Sequence, residues 1–261
     1  MKLAVVINHN VTNTKSVLSK LEQELQKNAL EYEVINIDNL KGGYDFICVI
    51  GGDGTILKTA RYYANFGTPI LGINLGRLGF LSQSGTSEIE KVIKCIKNKT
   101  YKVQERIMLK SGKHVALNDF VVKGCSCTRT SKFSLKINDK FVCDYIADGI
   151  IISTPTGSTA YGLSAGGPIL CPDIDCLVIV PICPHTLTAR PLVIPSNEKI
   201  TINSMDELLT VAIDGQEISE TTSEFNIEIA DKKARLAFLS DDDFYSILRN
   251  KLHWGISPID K

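Results

Sequence analysis

A carboxylate set among three glycines is the first place in this sequence where chemistry can happen. Gly51-Gly52-Asp53-Gly54-Thr55 follows an apolar run from Phe46 to Ile50 and precedes a helical pattern from Ile56 to Ala64. The run is rich in β-branched and aromatic types and reads as a buried strand, so the segment is strand, glycine-rich turn and helix start. Glycine lets bare N–H groups approach an anion, and a helix N-terminus adds a favourable dipole, which together suit phosphate. Asp53 does not fit a passive cradle, because a carboxylate repels phosphate unless it has work of its own. Two jobs suit it: holding a metal ion, or accepting the proton of an attacking hydroxyl. The second is preferred here. The plain structural alternative is a tight turn with an Asx-type hydrogen bond, which three glycines around one acid disfavour.

A second concentration of polar groups lies in the other half. Gly149 to Ser153 reads as a strand, and it runs into Thr154-Pro155-Thr156-Gly157-Ser158-Thr159-Ala160-Tyr161-Gly162-Leu163-Ser164. Pro155 and Gly157 force a turn. Serine and threonine hydroxyls with free N–H groups suit a ribose, an amide or a phosphate, and Tyr161 offers a ring for stacking or a hydroxyl for a ribose. A helix N-cap with a serine-rich loop is the structural alternative. His185, between prolines, reads either as a ligand contact or as a satisfied structural histidine. Asp214-Gly215-Gln216 reads as a hairpin turn.

The elements that must position these residues fall into two rhythms. Leu3 to Asn8, Tyr32 to Ile37, Phe46 to Ile50 and Pro69 to Asn74 read as strands. Helices alternate with them: Asn13 to Ala29, capped by Thr12 or Asn13, then Ile56 to Phe66, then one carrying Ile89, Val92, Ile93 and Ile96. This alternation predicts a parallel α/β sheet that binds ligand at the carboxyl ends of its strands, where Asp53 and Asn74 fall. From Tyr101 short strands follow one another with little helix, including a hairpin at Asn138-Asp139 and a strand from Arg235 to Leu239. That predicts an all-β region of sandwich or layered type. Asp241 to Leu252 reads as a capped amphipathic helix that packs back on one of the domains, anchored by Phe244 and Trp254. The expected division is 1–100, 101–240 and 241–261, the last returning to the N-terminal domain.

With 261 residues, the chain can bury one large core or two small ones. Lys plus Arg and Asp plus Glu are 29 each, so no global field argues for nucleic acid or an anionic membrane. No apolar run approaches spanning length, and the N-terminal run reaches Asn8-His9-Asn10 too soon for a signal peptide, so a cytoplasmic protein is expected. Of eight cysteines, Cys48, Cys95, Cys143, Cys176 and Cys183 sit in apolar runs and read as core residues. Cys125 and Cys127 form a lone C-x-C without a second pair at zinc spacing. Free thiols in a reducing compartment are expected.

Taken together, Gly51-Gly52-Asp53-Gly54-Thr55, Asn118-Asp119 and Thr154 to Tyr161 resemble the NAD kinase family, in the same order along the chain. Pro184-His185-Thr186-Leu187 and Asp214-Gly215-Gln216 also match its pattern. The likeness spans Ile47 to the C-terminal helix. The long second motif is specific; the glycine-acid motif recurs in phosphofructokinases and in lipid and sphingoid kinases. The resemblance implies a Rossmann-like N-terminal domain, a β-sandwich C-terminal domain, a divalent metal such as Mg²⁺, and a homodimer or homotetramer. It implies that ATP, or polyphosphate in some members, phosphorylates the adenosine ribose 2′-hydroxyl of NAD to give NADP. Carried over by residue, Asp53 is the general base, and Gly52, Gly54 and Thr55 face the transferring phosphates. Asn118 and Asp119 contact the adenosine ribose, Asp148 takes the nicotinamide amide, and Thr159, Ala160, Tyr161 and Ser164 line the NAD site. Thr156, Ser158 and Gln216 belong to the same binding set. The family usually has Asn-Glu where this chain has Asn118-Asp119; the shorter side chain withdraws the carboxylate and invites a bridging water. Arg129 and Lys132 fall where the family often places cations, or on a solvated hairpin face.

Three rivals remain at this stage. A lipid kinase of the same glycine-acid type calls for an apolar mouth, whereas Thr154 to Tyr161 is polar. A sugar-phosphate kinase calls for clustered arginines, whereas Arg61, Arg77, Arg106, Arg129 and Arg190 are scattered. A non-catalytic NAD(P)-sensing module predicts loss of the acid, and Asp53 is present.

Overall fold

The structure is a computed structural model that describes residues 1–9, 11–76, 79–82, 84–125, 130–205, 208–239, 244–253 and 255, the side chains of 217–221 excepted. Cys127, Arg129, the acidic cap at Asp241 to Asp243 and Trp254 therefore lie outside the described residues. The chain forms two compact units, one of residues 1–105 with 234–261, the other of residues 106–233.

The first unit begins with β1 (Leu3–Ile7), α1 (Thr14–Lys27), β2 (Tyr32–Asn36), β3 (Phe46–Ile50), α2 (Asp53–Tyr63) and β4 (Ile70–Asn74). A short β5 (Ser84–Gly85), then α3 (Ile89–Asn98) and β6 (Lys102–Arg106) follow. β1, β3 and β4 are wholly buried, which is why they read as unbroken apolar runs: a parallel strand under helices has no wet face. α1 inserts Val17, Leu21 and Leu25, and α3 inserts Ile89, Val92, Ile93 and Ile96, into one cluster with Leu3, Val5, Phe46 and Ile50. Burying each such side chain is worth about 1.5–3 kcal/mol. α2 starts at Asp53, earlier than the apolar pattern from Ile56 suggests, because Gly52 is extended and serves as its N-cap.

The second unit carries β7 (Leu109–Ser111), β8 (His114–Ala116), β9 (Asp119–Gly124), β10 (Ser131–Ile137), β11 (Lys140–Ala147) and β12 (Gly149–Ser153). A short α4 (Tyr161–Ser164) precedes β13 (Cys176–Ile182), β14 (Leu192–Pro195), β15 (Ile200–Ser204), β16 (Leu209–Ile213), β17 (Gln216–Thr222) and β18 (Glu224–Ile229). Among the described residues these strands form two sheets, ordered β11-β10-β15-β18-β7-β8 and β14-β13-β12-β9-β16-β17. Phe133, Leu135, Ile200, Ile202, Phe225 and Ile227 of the first share a core with Phe120, Ile150, Ile152, Leu177, Ile179 and Val211 of the second. The Phe120 and Phe225 rings meet edge to face at 5.3 Å. On the far side of the second sheet Leu170 covers Val121, Ile151, Val178 and Val180. β12 and β13 are thereby buried on both faces, and the hydroxyl-rich segment after β12 is held against them. The predicted hairpin at Asn138-Asp139 joins β10 to β11, with both turn residues at positive φ (48° and 63°), as a type I′ turn requires.

The chain then returns to the first unit with β19 (Ala234–Phe238) and α5 (Phe244–Leu252). This differs from the sequence expectation, which placed Arg235 to Leu239 in the β region and the domain edge at 240. β19 instead runs parallel to β4, completing the order β2-β1-β3-β4-β19-β6 with β5 beside β4. Its Ala234, Leu236, Ala237 and Phe238 are buried there. α5 buries Leu248, and Lys251 lies 5.2 Å above the Phe80 ring. Cys48 and Cys176 are buried as expected, whereas Cys183 is exposed: it sits at positive φ (44°) just beyond β13 rather than inside it.

Candidate active site

Each unit carries one constellation. In the first unit the strand order reverses direction between β1 and β3, the position at which an open α/β sheet leaves a crevice beyond the strand ends. Asp53 stands beyond β3 as the first residue of α2 and is half-buried. A Cβ added at Gly52 or Gly54 would meet nothing within 4 Å, and neither residue has positive φ. Among the described residues nothing therefore demands glycine at these two positions. Their open faces lie beside the first-turn N–H groups that a helix leaves without internal acceptors, the combination that admits phosphate oxygens. Thr55 is buried, and its hydroxyl lies where a Gly51 side chain would go, at 2.6 Å.

The Asp53 carboxylate is held by a loop that follows β4. Phe80 N–H donates to Oδ2 at 3.0 Å, while Leu81 N–H (3.4 Å), Ser82 N–H (3.3 Å) and the Ser82 hydroxyl (3.0 Å) donate to Oδ1. A Cβ at Gly79 would stand 1.8 Å from Oδ1, so any larger residue there would displace the carboxylate. Every hydrogen-bond partner of the carboxylate among the described residues is a donor, which suits an anion. Among the described residues no group of three or more His, Cys, Asp or Glu could hold a metal ion. The described residues thus do not form a protein-held metal centre around Asp53.

In the second unit, Leu117-Asn118-Asp119 enters β9 with its backbone clamped from both sides. The Asp214 carboxylate accepts the N–H groups of Leu117 (3.1 Å), Asn118 (2.7 Å) and Asp119 (3.2 Å). Thr154 donates its N–H to the Asn118 carbonyl (2.9 Å) and its hydroxyl to the Leu117 carbonyl (2.6 Å), and the Ser153 hydroxyl reaches the Asn118 carbonyl at 3.2 Å. With the main chain satisfied, the two side chains are what this segment has left to offer. Asp119 is 3% exposed, and burial, followed by the nearby Asp214 carboxylate, pushes its carboxyl up to about 7. Gly157 packs directly on this segment: a Cβ there would lie 2.3 Å from the Asn118 carbonyl oxygen.

Residues 3–101 match the ATP-NAD kinase N-terminal domain family, and residues 117–239 match the ATP-NAD kinase C-terminal domain family. An NAD kinase of Clostridium botulinum is 39% identical over 97% of this chain and 96% of its own. The chain belongs to the ATP-NAD kinase family. A second family member, the NAD kinase of Geotalea daltonii, is 40% identical over 84% of this chain and 81% of its own. Among solved structures, an NAD kinase from Archaeoglobus fulgidus in complex with ATP superposes with a TM-score of 0.81 at 28% identity, covering 97% of this chain and 99% of that one. Yeast NADH kinase complexed with NADH shares the fold, with a TM-score of 0.87 at 24% identity over 98% of this chain and 89% of that one.

The sequence-predicted residues take distinct places within this family fold. Thr159 and Ala160 are half-buried, and Tyr161 and Ser164 are exposed, so this stretch presents side chains outward. Thr156 and Ser158 are buried; the Ser158 hydroxyl donates to the Pro155 carbonyl at 2.7 Å and accepts the Leu170 N–H at 3.0 Å, holding the loop on the sheet. Asp148 and His185 are exposed on neighbouring connections, both paired through the backbone: Asp148 N–H donates to Ile182, His185 N–H to Ile146. Gln216 opens β17 after the Asp214-Gly215 turn, whose φ values of 48° and 78° fit type I′. Lys132 is exposed on β10.

Sequence reasoning missed Ser82, Gly79, Ser153 and the work of the Asp214 side chain. Asn74, at the end of β4, was the only signal pointing towards the loop that holds Asp53.

Proposed function

We propose that the protein transfers the γ-phosphoryl group of ATP to the adenosine ribose 2′-hydroxyl of NAD, giving NADP. The observation that carries this reading is the α2 start. There a fixed carboxylate stands between two glycines whose open faces no packing among the described residues explains. A ribose hydroxyl is a weak nucleophile near neutral pH, so a carboxylate must take its proton as attack proceeds. Asp53 does this: the bond from the 2′-oxygen to the γ-phosphorus forms as the bond to ADP breaks, and the proton passes to Asp53. Gly52 and Gly54 let phosphate approach the helix start. Asn118 and Asp119 bind the adenosine ribose, Asp148 the nicotinamide amide, and Thr159, Ala160, Tyr161 and Ser164 line the dinucleotide's path. Gln216, and the backbone around Thr156 and Ser158, complete that wall. The complex of the Archaeoglobus relative with ATP supports ATP as donor.

The family implies a divalent metal. Among the described residues no group of three or more His, Cys, Asp or Glu could hold such an ion, so the nucleotide's phosphates would supply much of its coordination and it would offset charge on them when bound. Association into a homodimer or homotetramer is supported by Phe141 and Ile146, exposed on the edge strand β11. A cytoplasmic location is supported by free cysteines such as Cys48, Cys95 and Cys143; no described helix is long and apolar enough to cross a membrane.

The test is NADP formation from NAD, ATP and Mg²⁺ by the purified protein, with Asp53→Asn alongside. The wild type makes NADP, and the variant keeps NAD binding while kcat falls by about 10²–10⁴, the span of a lost general base. A wild type that makes no NADP overturns the reading.

A further inference from the structure

We propose that Asn74 and Ser82 form a hydrogen-bonded chain that aims the Asp53 carboxylate, leaving Oδ2 as the oxygen that receives the proton. The inference rests on the kinase reading and assigns two positioning residues that touch no substrate.

The chain has a defined direction. Gly76 N–H donates to Asn74 Oδ1 at 2.8 Å, which fixes the amide with Nδ2 pointing the other way. Nδ2 then donates to Ser82 Oγ at 2.6 Å. A hydroxyl that accepts one strong bond has its hydrogen to spend elsewhere, and Ser82 spends it on Asp53 Oδ1 at 3.0 Å. Ser82 is 0% exposed and Asn74 is 7% exposed, so water does not compete for these groups. Oδ1 accepts two further bonds, from the Leu81 and Ser82 N–H groups, while Oδ2 accepts one, from Phe80. A carboxylate oxygen has about two lone-pair directions. Oδ1 is therefore saturated, and Oδ2 keeps one direction open.

Orientation is the reason this matters for rate. An aspartate in the first turn of a helix has two free torsions, and a misplacement of about 1 Å at a reacting group costs about 10²-fold. Three backbone donors alone would move whenever the 79–82 loop moves. The Asn74–Ser82 bond ties that loop, and through it the carboxylate, to β4, an interior strand whose five residues are all buried. Asn74 and Ser82 thus transmit the position of the sheet to the base.

The test is steady-state kinetics on the full chain, comparing wild type, Ser82→Ala, Ser82→Thr, Asn74→Ala, Asp53→Asn and the Ser82→Ala/Asp53→Asn pair. Ser82→Ala lowers kcat by about 10- to 100-fold with the KM for NAD unchanged, and Ser82→Thr restores most of it. Asn74→Ala lowers kcat in the same direction and adds little on top of Ser82→Ala. In the Asp53→Asn background Ser82→Ala costs nothing further, because no base remains to be aimed. Thermal unfolding of each variant separates loss of folded protein from loss of kcat. An equal kcat loss in both backgrounds, or a loss confined to KM, overturns the proposal with the kinase reading intact. A wild type that makes no NADP overturns both.

Discussion

Asp119 is a buried acid beside a second acid, and this gives it a measurable signature. Its carboxyl titrates near about 7 when folded, driven by burial and then by Asp214, against about 3.9 for an unfolded aspartate. The folded state therefore favours the neutral acid. Its contribution to stability is complete below about pH 4 and is lost as pH rises through about 7. Asp119→Asn keeps the shape and cannot ionise. The melting temperature of the variant relative to wild type should rise between about pH 4 and about pH 8, the gap opening chiefly below about 7. A gap that is constant across that range would show that Asp119 does not carry the penalty. On the proposed reading the same residue bears on function: near neutral pH its carboxyl alternates between donor and acceptor, so the ribose contact proposed for it would change with the pH at which NAD is bound. Asp214 couples the two roles, because the carboxylate that clamps three N–H groups also raises the Asp119 carboxyl.

At the scale of elements, the hydroxyl-rich segment owes its place to close approach rather than to sequence-local structure. Gly157 lies so near the Asn118 carbonyl that an added Cβ would be 2.3 Å from the oxygen and 2.5 Å from the carbon, both backbone atoms that no rotamer can move aside. Gly157→Ala should cost about 1–3 kcal/mol in equilibrium urea unfolding, the scale of overpacking, and raise the KM for NAD by displacing Asn118. Gly162→Ala is the control, since its nearest neighbour would be an ordinary 3.8 Å away. Full stability in Gly157→Ala would mean that the segment yields where the geometry says it cannot. The glycines around Asp53 were legible in the sequence because composition concentrates there, and the strands were legible because buried runs are apolar. Other features left no local trace. Ser82 acts on a residue 29 positions away, and a single serine in a loop carries no sign of its partner. β19 read correctly as a strand, yet five residues of apolar pattern do not say which sheet they join. The start of α2 was read three residues late because glycine and aspartate lack helical periodicity, although the capping geometry places them in the first turn.

At the scale of the molecule, the two units differ in how the chain builds them. The second is a continuous stretch, 106–233, whose core from Ile107 to Ile227 is made wholly of its own residues. The first is discontinuous, because β19 enters from beyond the second unit to lie between β4 and β6. Without β19, β4 keeps β3 but loses its parallel partner on the other side, β6 is severed from the sheet, and Ala237 and Leu239 leave the core they share with Val92 and Ile96. An uncovered interior strand edge next to an apolar cavity is an aggregation template. A fragment of residues 106–233 should therefore fold alone, with a sigmoidal thermal transition by circular dichroism and a monomer or small oligomer by sedimentation. A fragment of residues 1–105 should not, and adding a peptide of residues 234–261 should restore a cooperative transition to it. A 106–233 fragment with no cooperative transition would mean that its stability comes from outside its own core. A 1–105 fragment that folds unaided would mean that β19 is an accessory strand. If the fragments behave as the topology requires, the sheet that presents Asp53 closes only once β19 has followed the second unit, so the carboxylate is held on a complete sheet only after 106–233 has been made.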